Sequence, residues 1–130
     1  MKRILIDTSG YSGFMRGHPG IIAAVQYAKE IFFSPVVLGE LYSGFMKGAH
    51  RSKNEAGLSK FADSPRVGFL EIDEDTAKTY AAILHELRLN GTSISSNDVW
   101  VAASAMQYGL AVLTMDRDFL KVRQILVSFH

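Results

Sequence analysis

Lys2-Arg3-Ile4-Leu5-Ile6-Asp7-Thr8-Ser9 decides the fold. Three aliphatic residues run without alternation and then meet an aspartate. A continuous apolar run of this kind, with two β-branched members, reads as a strand buried on both faces, the usual state of a central strand in a parallel sheet. In open α/β sheets, ligands bind outside the carboxyl ends of the strands. Asp7 therefore stands where chemistry is expected, and the question is which other groups the chain brings to it.

The chain has 130 residues, the common size of one domain, and a single domain over residues 1–130 is expected. Hydrophobic residues make up 48% and charged residues 21%, enough apolar content to build a core and to exclude global disorder. There is no cysteine, which excludes a disulfide framework, a thiolate metal site and a cysteine nucleophile. No apolar run is long enough to span a bilayer, and the N-terminus lacks the apolar core of a signal peptide. A cytoplasmic protein is the expectation. Net charge is +1, from 14 Lys+Arg against 13 Asp+Glu, so only the arrangement of the charges bears on nucleic acid.

Outward from the first strand, Gly10 to Gly20 holds four glycines and a proline and reads as a loop with one helical turn at Tyr11–Met15. Ile21 to Glu30 has helical spacing, and Ile31-Phe32-Phe33 is a short strand. Ser34-Pro35 starts a helix running to about Lys47, with Val37, Leu41, Gly44 and Phe45 as its apolar stripe. Glu40 falls inside that arc. Gly48 to Lys53 reads as a basic break, followed by a less regular helix over Asn54–Ala62. Val67 to Ile72 is a third strand. Asp73 caps a long helix with Ala77, Tyr80, Ala81, Leu84 and Leu87 on its buried side, ended by Asn90-Gly91. A helix apolar almost all round opens near Ser95 and ends at Gly109. Leu110–Leu113 and Ile125–Phe129 complete the strands. The alternation points to βαβ units: a three-layer α/β/α fold with a central, mostly parallel five-stranded sheet.

Four acids occupy corresponding places: Asp7 ends the first strand, Glu40 lies in the helix after the second, Asp98 opens the buried helix, and Asp116 follows the fourth strand. Each has a plain structural role open to it. Asp7 suits a turn, Asp98 a helix cap, Asp116 a loop, and Glu40 a salt bridge. Whether the start of the buried helix reaches the shared carboxyl edge is not settled by spacing. Taken together, packed carboxylates raise one another's pKa values, and a divalent cation relieves the repulsion. An all-oxygen set without cysteine suits Mg²⁺ or Mn²⁺, which meet phosphate oxygens. The histidines, at 18, 50, 85 and 130, share no spacing, and His85 is expected to be exposed. No glycine-rich nucleotide loop is present. A haloacid-dehalogenase-like phosphatase needs a second acid where Ser9 stands, and a response-regulator receiver needs an acidic pair near the first strand that is missing here.

Four blocks together resemble the PIN domain, and specifically the VapC-like ribonuclease toxins of type II toxin–antitoxin pairs. They are Ile4-Leu5-Ile6-Asp7-Thr8-Ser9, Ser34-Pro35-Val36-Val37-Leu38-Gly39-Glu40-Leu41, Asn97-Asp98-Val99-Trp100-Val101-Ala102-Ala103 and Leu113-Thr114-Met115-Asp116-Arg117-Asp118-Phe119. The resemblance covers nearly the whole chain. It implies that Asp7, Glu40, Asp98 and Asp116 are the catalytic, metal-holding acids, with Thr8, Thr114 and Asp118 behind them. It implies Mg²⁺- or Mn²⁺-dependent endonucleolytic hydrolysis of RNA that leaves a 5′-phosphate and a 3′-hydroxyl. A cognate antitoxin protein that blocks the site and a homodimer are also implied, with Tyr11–Met15 and Val36–Met46 as candidate groove residues. Arg16, Lys47, Arg51, Lys53 and Arg117 flank the acidic blocks and are candidates to hold phosphates. Ser95-Ser96 stands where many relatives carry a proline, a departure that leaves the acids untouched. Two competing readings keep the fold: an RNA-processing nuclease without antitoxin, and a non-catalytic RNA- or protein-binding module.

Overall fold

The structure, a computed structural model, describes residues 2–130. Five strands, β1 (Arg3–Ile6), β2 (Glu30–Phe33), β3 (Val67–Phe69), β4 (Ala111–Thr114) and β5 (Leu126–Phe129), pair in the order β3-β2-β1-β4-β5. Every pairing is parallel. Ile4, Leu5 and Ile6 of β1 are buried at the centre of the sheet, as their unbroken apolar run requires. The helices are α1 (Thr8–Met15), α2 (Pro19–Tyr27), α3 (Pro35–Lys47), α4 (Arg51–Ala62), α5 (Glu74–Leu89) and α6 (Ser96–Tyr108). From β1 the chain steps outward through β2 to β3, then returns across the sheet to β4 and β5. Right-handed crossovers put α1–α4 on one face, and the reversal puts α5 and α6 on the other, giving the three-layer α/β/α fold. The reversal makes a topological switch point between β1 and β4, the place where such sheets bind ligands.

Several boundaries follow local chemistry. Ser34 Oγ accepts the Val36 N–H and Pro35 is the first residue of α3, so the helix starts where the Ser-Pro pair places it. Asp73 and Thr76 form a reciprocal capping box at the start of α5. Gly109, at φ 66°, ends α6 in the left-handed conformation. Val99 and Val101–Ala105 are all buried, as expected of a helix apolar nearly all round, while Met106 of its last turn is exposed. His85 is exposed.

The structure corrects four expectations. The glycine-rich stretch after β1 is helical: Asp7 caps α1, accepting the Gly10 N–H at 2.7 Å. Its glycines serve close packing, since a Cβ on Gly10 would lie 2.5 Å from the Leu113 carbonyl oxygen and one on Gly13 would lie 2.7 Å from Met115 Sδ. The basic break is shorter than expected, because α4 already begins at Arg51. β3 ends at Phe69, three residues before Ile72. The buried residues of α5 are Thr76, Ile83 and Leu87, while Ala77 and Ala81 are exposed. Thr76, besides its part in the cap, donates its hydroxyl to Gln107 Oε1 of α6.

Candidate metal centre

The carboxyl ends of β1 and β4 and the start of α6 surround a cavity of about 440 Å³ lined by Asp7, Glu40, Asp98 and Asp116. The sequence spacing left the reach of Asp98 open; the first turn of α6 brings it to the edge. All four acids expected to act together therefore share one cavity.

Asp7 is the most deeply buried and most fully hydrogen-bonded of them. The residue is 5% exposed. Oδ1 accepts from the Gly10 N–H and from Ser9 Oγ at 2.9 Å, and Oδ2 accepts from Thr114 Oγ1 at 2.7 Å. The two hydroxyls are themselves held from behind. The Met115 N–H donates to Ser9 Oγ, and the Asp116 N–H donates to Thr114 Oγ1, each at 2.9 Å. The loop after β4 is thus tied through two hydroxyls to the acid after β1. Burial pushes the Asp7 carboxyl above its ordinary value and Asp116 adds to this, against the hydrogen bonds from Thr114, Gly10 and Ser9.

Glu40, half-buried on α3, is held at both oxygens. Thr8 Oγ1 donates to Oε1 at 2.6 Å, and Asn97 Nδ2 donates to Oε2 at 3.2 Å. Asp98 lies one residue beyond Asn97, its N–H bonded to the cap residue Ser95. Its carboxyl is pushed up to about 6, first by burial and then by the charges of Asp116, Glu40 and Asp7, against a hydrogen bond from Ser95. Asp116 caps the short 3₁₀ turn Arg117–Lys121 by accepting the Asp118 N–H.

Oxygens of Asp98, Asp116 and Asp118 lie within 4.8 Å of one another. Asp118, which the resemblance puts behind the acids, stands with Asp98 and Asp116 in the tightest carboxylate group among the described residues, and Lys121 Nζ lies 2.8 Å from it. Thr114 is behind Asp7 and Thr8 behind Glu40, where the resemblance put hydroxyls. Ser9, bonded to Asp7, and Asn97, bonded to Glu40, join the site beyond the residues expected from the sequence. A hydroxyl two residues after a strand-end acid, and an amide directly before a helix-opening acid, are the signals that mark them.

The cations divide. Arg16 lines the acid cavity. Lys47 lines a neighbouring groove that shares Glu40 with the acid cavity and also holds Asn97. Arg51 pairs with Glu55 on the exposed side of α4, and Lys53 is exposed on the same helix; neither lines the acid cavity. Arg117 has its guanidinium carbon 5.2 Å from the centre of the Phe129 ring. Among the described residues, no helix is long and apolar enough to cross a membrane.

The model of the PIN domain family matches residues 4–125. The chain is 31% identical over 121 residues to ribonuclease VapC4 of Mycobacterium tuberculosis, covering 92% of this chain and 90% of that protein. Among solved structures, DNA-bound VapBC from Salmonella typhimurium aligns with a TM-score of 0.85 at 25% identity, over 98% of each chain. VapBC2 from Rickettsia felis, bound to a DNA fragment from its promoter, aligns with a TM-score of 0.86 at 20% identity, over 96% of each chain. The matched residues carry every acid of the cavity, and the chain belongs to the PIN-domain family, similar to its VapC ribonucleases.

Proposed function

We propose that this chain is a metal-dependent endoribonuclease, the toxin of a toxin–antitoxin pair, hydrolysing RNA phosphodiester bonds at the cavity between β1 and β4. The observation that carries this is the convergence of Asp7, Glu40, Asp98 and Asp116 on one cavity.

A divalent cation fits these residues. The donors are all carboxylate oxygens, those of Asp98, Asp116 and the adjoining Asp118 lie within 4.8 Å of one another, and Asp98 bears the electrostatic cost of its neighbours in a carboxyl pushed up to about 6. Asp98, Asp116 and Asp7 would hold the ion, with Glu40 beside them; we favour Mg²⁺ or Mn²⁺. When bound, it supplies positive charge against the phosphate and a Lewis acid for hydrolysis.

The chain's own groups do the rest. Ser9 and Thr114 fix the Asp7 carboxylate, and Thr8 and Asn97 fix Glu40, so these acids need no reorganisation when substrate arrives. The charges of Asp116, Glu40 and Asp7 that help raise the Asp98 carboxyl in the metal-free site are what a bound divalent cation would offset. Asp118 joins the Asp98–Asp116 group, with Lys121 balancing its charge. Arg16, at the cavity wall, is placed to hold a flanking phosphate, with Lys47 along the adjoining groove. We assign Arg51, Lys53 and Arg117 at most to an outer contribution, since Arg51 is paired and Arg117 lies on an aromatic ring. We read residues 1–130 as one nuclease domain, a homodimer held by an antitoxin protein that closes the cavity. The naming of similar proteins as VapC ribonucleases, and of similar structures as VapBC complexes, supports this reading.

The test is cleavage of a mixed RNA pool by the wild type and by Asp98→Asn, with Mg²⁺ or Mn²⁺ and with EDTA. Cutting by the wild type that needs metal and disappears in the variant is the expected result. Equal cutting by both proteins sinks the assignment.

A further inference from the structure

The acids of the centre fall into two groups that share two members. Asp7, Glu40, Asp98 and Asp116 line the cavity. Asp98 and Asp116 also belong to the group that Asp118 completes, with oxygens within 4.8 Å of one another. Asp118 itself does not line the cavity. Positive charge can thus be taken up at an inner place, facing the cavity, and at an outer one beside Asp118.

The two places differ in what surrounds them. At the inner one, Asp7 and Glu40 accept hydrogen bonds only from neutral hydroxyl, backbone N–H and carboxamide groups. Among the described residues, none of the four cavity acids is in a salt bridge with a lysine or arginine. At the outer one a cation is already present: Lys121 Nζ lies 2.8 Å from Asp118 Oδ1. Asp118 and Lys121 rise from the same 3₁₀ turn, which Asp116 caps through the Asp118 N–H, so the backbone that places Asp116 also places the pair. An isolated pair on a surface would contribute little. This one has its carboxylate set against two others, where a positive charge offsets their repulsion.

We propose that the ammonium group of Lys121 takes the place of a second divalent cation: the inner acids hold one ion, and Lys121 serves the outer group. Two-ion centres set their cations about 3.5–4 Å apart, and Asp98 and Asp116, common to both groups, are where two ions would meet. The ammonium group occupies the Asp118 oxygen such an ion would use and repels a dication beside it. A point charge on a flexible stem does this without the strict octahedral geometry that Mg²⁺ demands. Lys121 is a positioning residue here, acting through Asp118 on the number of ions bound. The proposal rests on the metal-dependent reading of the cavity, and its test does not depend on cleavage.

The experiment titrates Mn²⁺ into the metal-free full-length chain, with heat of binding and the electron paramagnetic resonance signal of free Mn²⁺ as two counts of bound ions. The wild type is expected to bind one ion. Lys121→Met, which keeps the aliphatic stem and removes the charge, should bind two, the second at least about tenfold tighter than any further ion on the wild type. Lys121→Arg should keep the count at one, and adding Asp118→Asn to Lys121→Met should return it to one. Two ions on the wild type, or one on Lys121→Met at whatever affinity, overturns the proposal and leaves the metal-dependent reading standing. No Mn²⁺ bound by the wild type removes that reading, and the proposal with it.

Discussion

Asp98→Asn should make the metal-free protein more stable at neutral pH while abolishing its activity. The Asp98 carboxyl is displaced from 3.8 to about 6 by burial and by three neighbouring acids. At full weight that displacement is worth roughly 3 kcal/mol. Asp98 is half-buried, and solvent screening halves the figure to about 1.5 kcal/mol. The carboxylate also gains about 0.5 kcal/mol from its place in the first turn of α6, which asparagine forgoes. The net gain is about 1 kcal/mol, or about 4 °C in Tm for a domain of this size. The sign follows from linkage. With a raised folded-state value, the native protein binds more protons than the unfolded chain between about pH 4 and 6, so its stability falls as pH rises through that window. The variant's advantage is therefore near zero at pH 4 and complete above pH 6. Thermal unfolding of both proteins in EDTA, from pH 4 to 7.5, measures it. Saturating Mg²⁺ should then reverse the order, raising the Tm of the wild type only. A variant that melts below the wild type in EDTA at pH 7.5, or whose advantage is the same at pH 4, refutes the electrostatic reasoning.

Other substitutions test the support around the acids. Thr114→Val removes the 2.7 Å donor to Asp7 and orphans the Asp116 N–H; urea unfolding should show a loss of about 1–3 kcal/mol, and RNA cleavage should fall with it. Gly10→Ala drives a methyl to 2.5 Å from the Leu113 carbonyl oxygen, so α1 must shift, at a cost of about 1–3 kcal/mol by the same measurement. Asn97→Ala frees one oxygen of Glu40; isothermal titration should find divalent-cation affinity about 10–100-fold weaker, with stability changed by under about 0.5 kcal/mol. An unchanged affinity would mean that Glu40 holds its position without Asn97.

How far the sequence reads depends on how local each signal is. Ile4-Leu5-Ile6 needs no partner to declare itself: an unbroken apolar run must be buried on both faces, so β1 is central. Ser34-Pro35 and Gly109 act through their own backbone, and α3 and α6 begin or end where they stand. The glycines after β1 mislead because their reason is distant. Gly10 is small to let α1 lie against the end of β4, a contact across more than a hundred residues that no local pattern encodes.

The same division holds in the site. The kinds of residue, acids at the ends of β1 and β4, within α3 and in the first turn of α6 with no cysteine, already limit the site to carboxylate rather than thiolate chemistry, because ligand chemistry belongs to the side chain itself. Their order along the chain matches the PIN-domain blocks. Which atoms meet is a tertiary matter. The crossing from β3 back to β4 sets Thr114 against Asp7, brings α6 to the carboxyl edge, and draws Asp118 to Asp98 and Asp116. Arg16, at the cavity wall, and Arg51, paired with Glu55 in α4, are likewise told apart only by the fold, though both follow acidic blocks in the sequence. Sequence carries the chemistry of each group; distance between groups exists only once the sheet order is made.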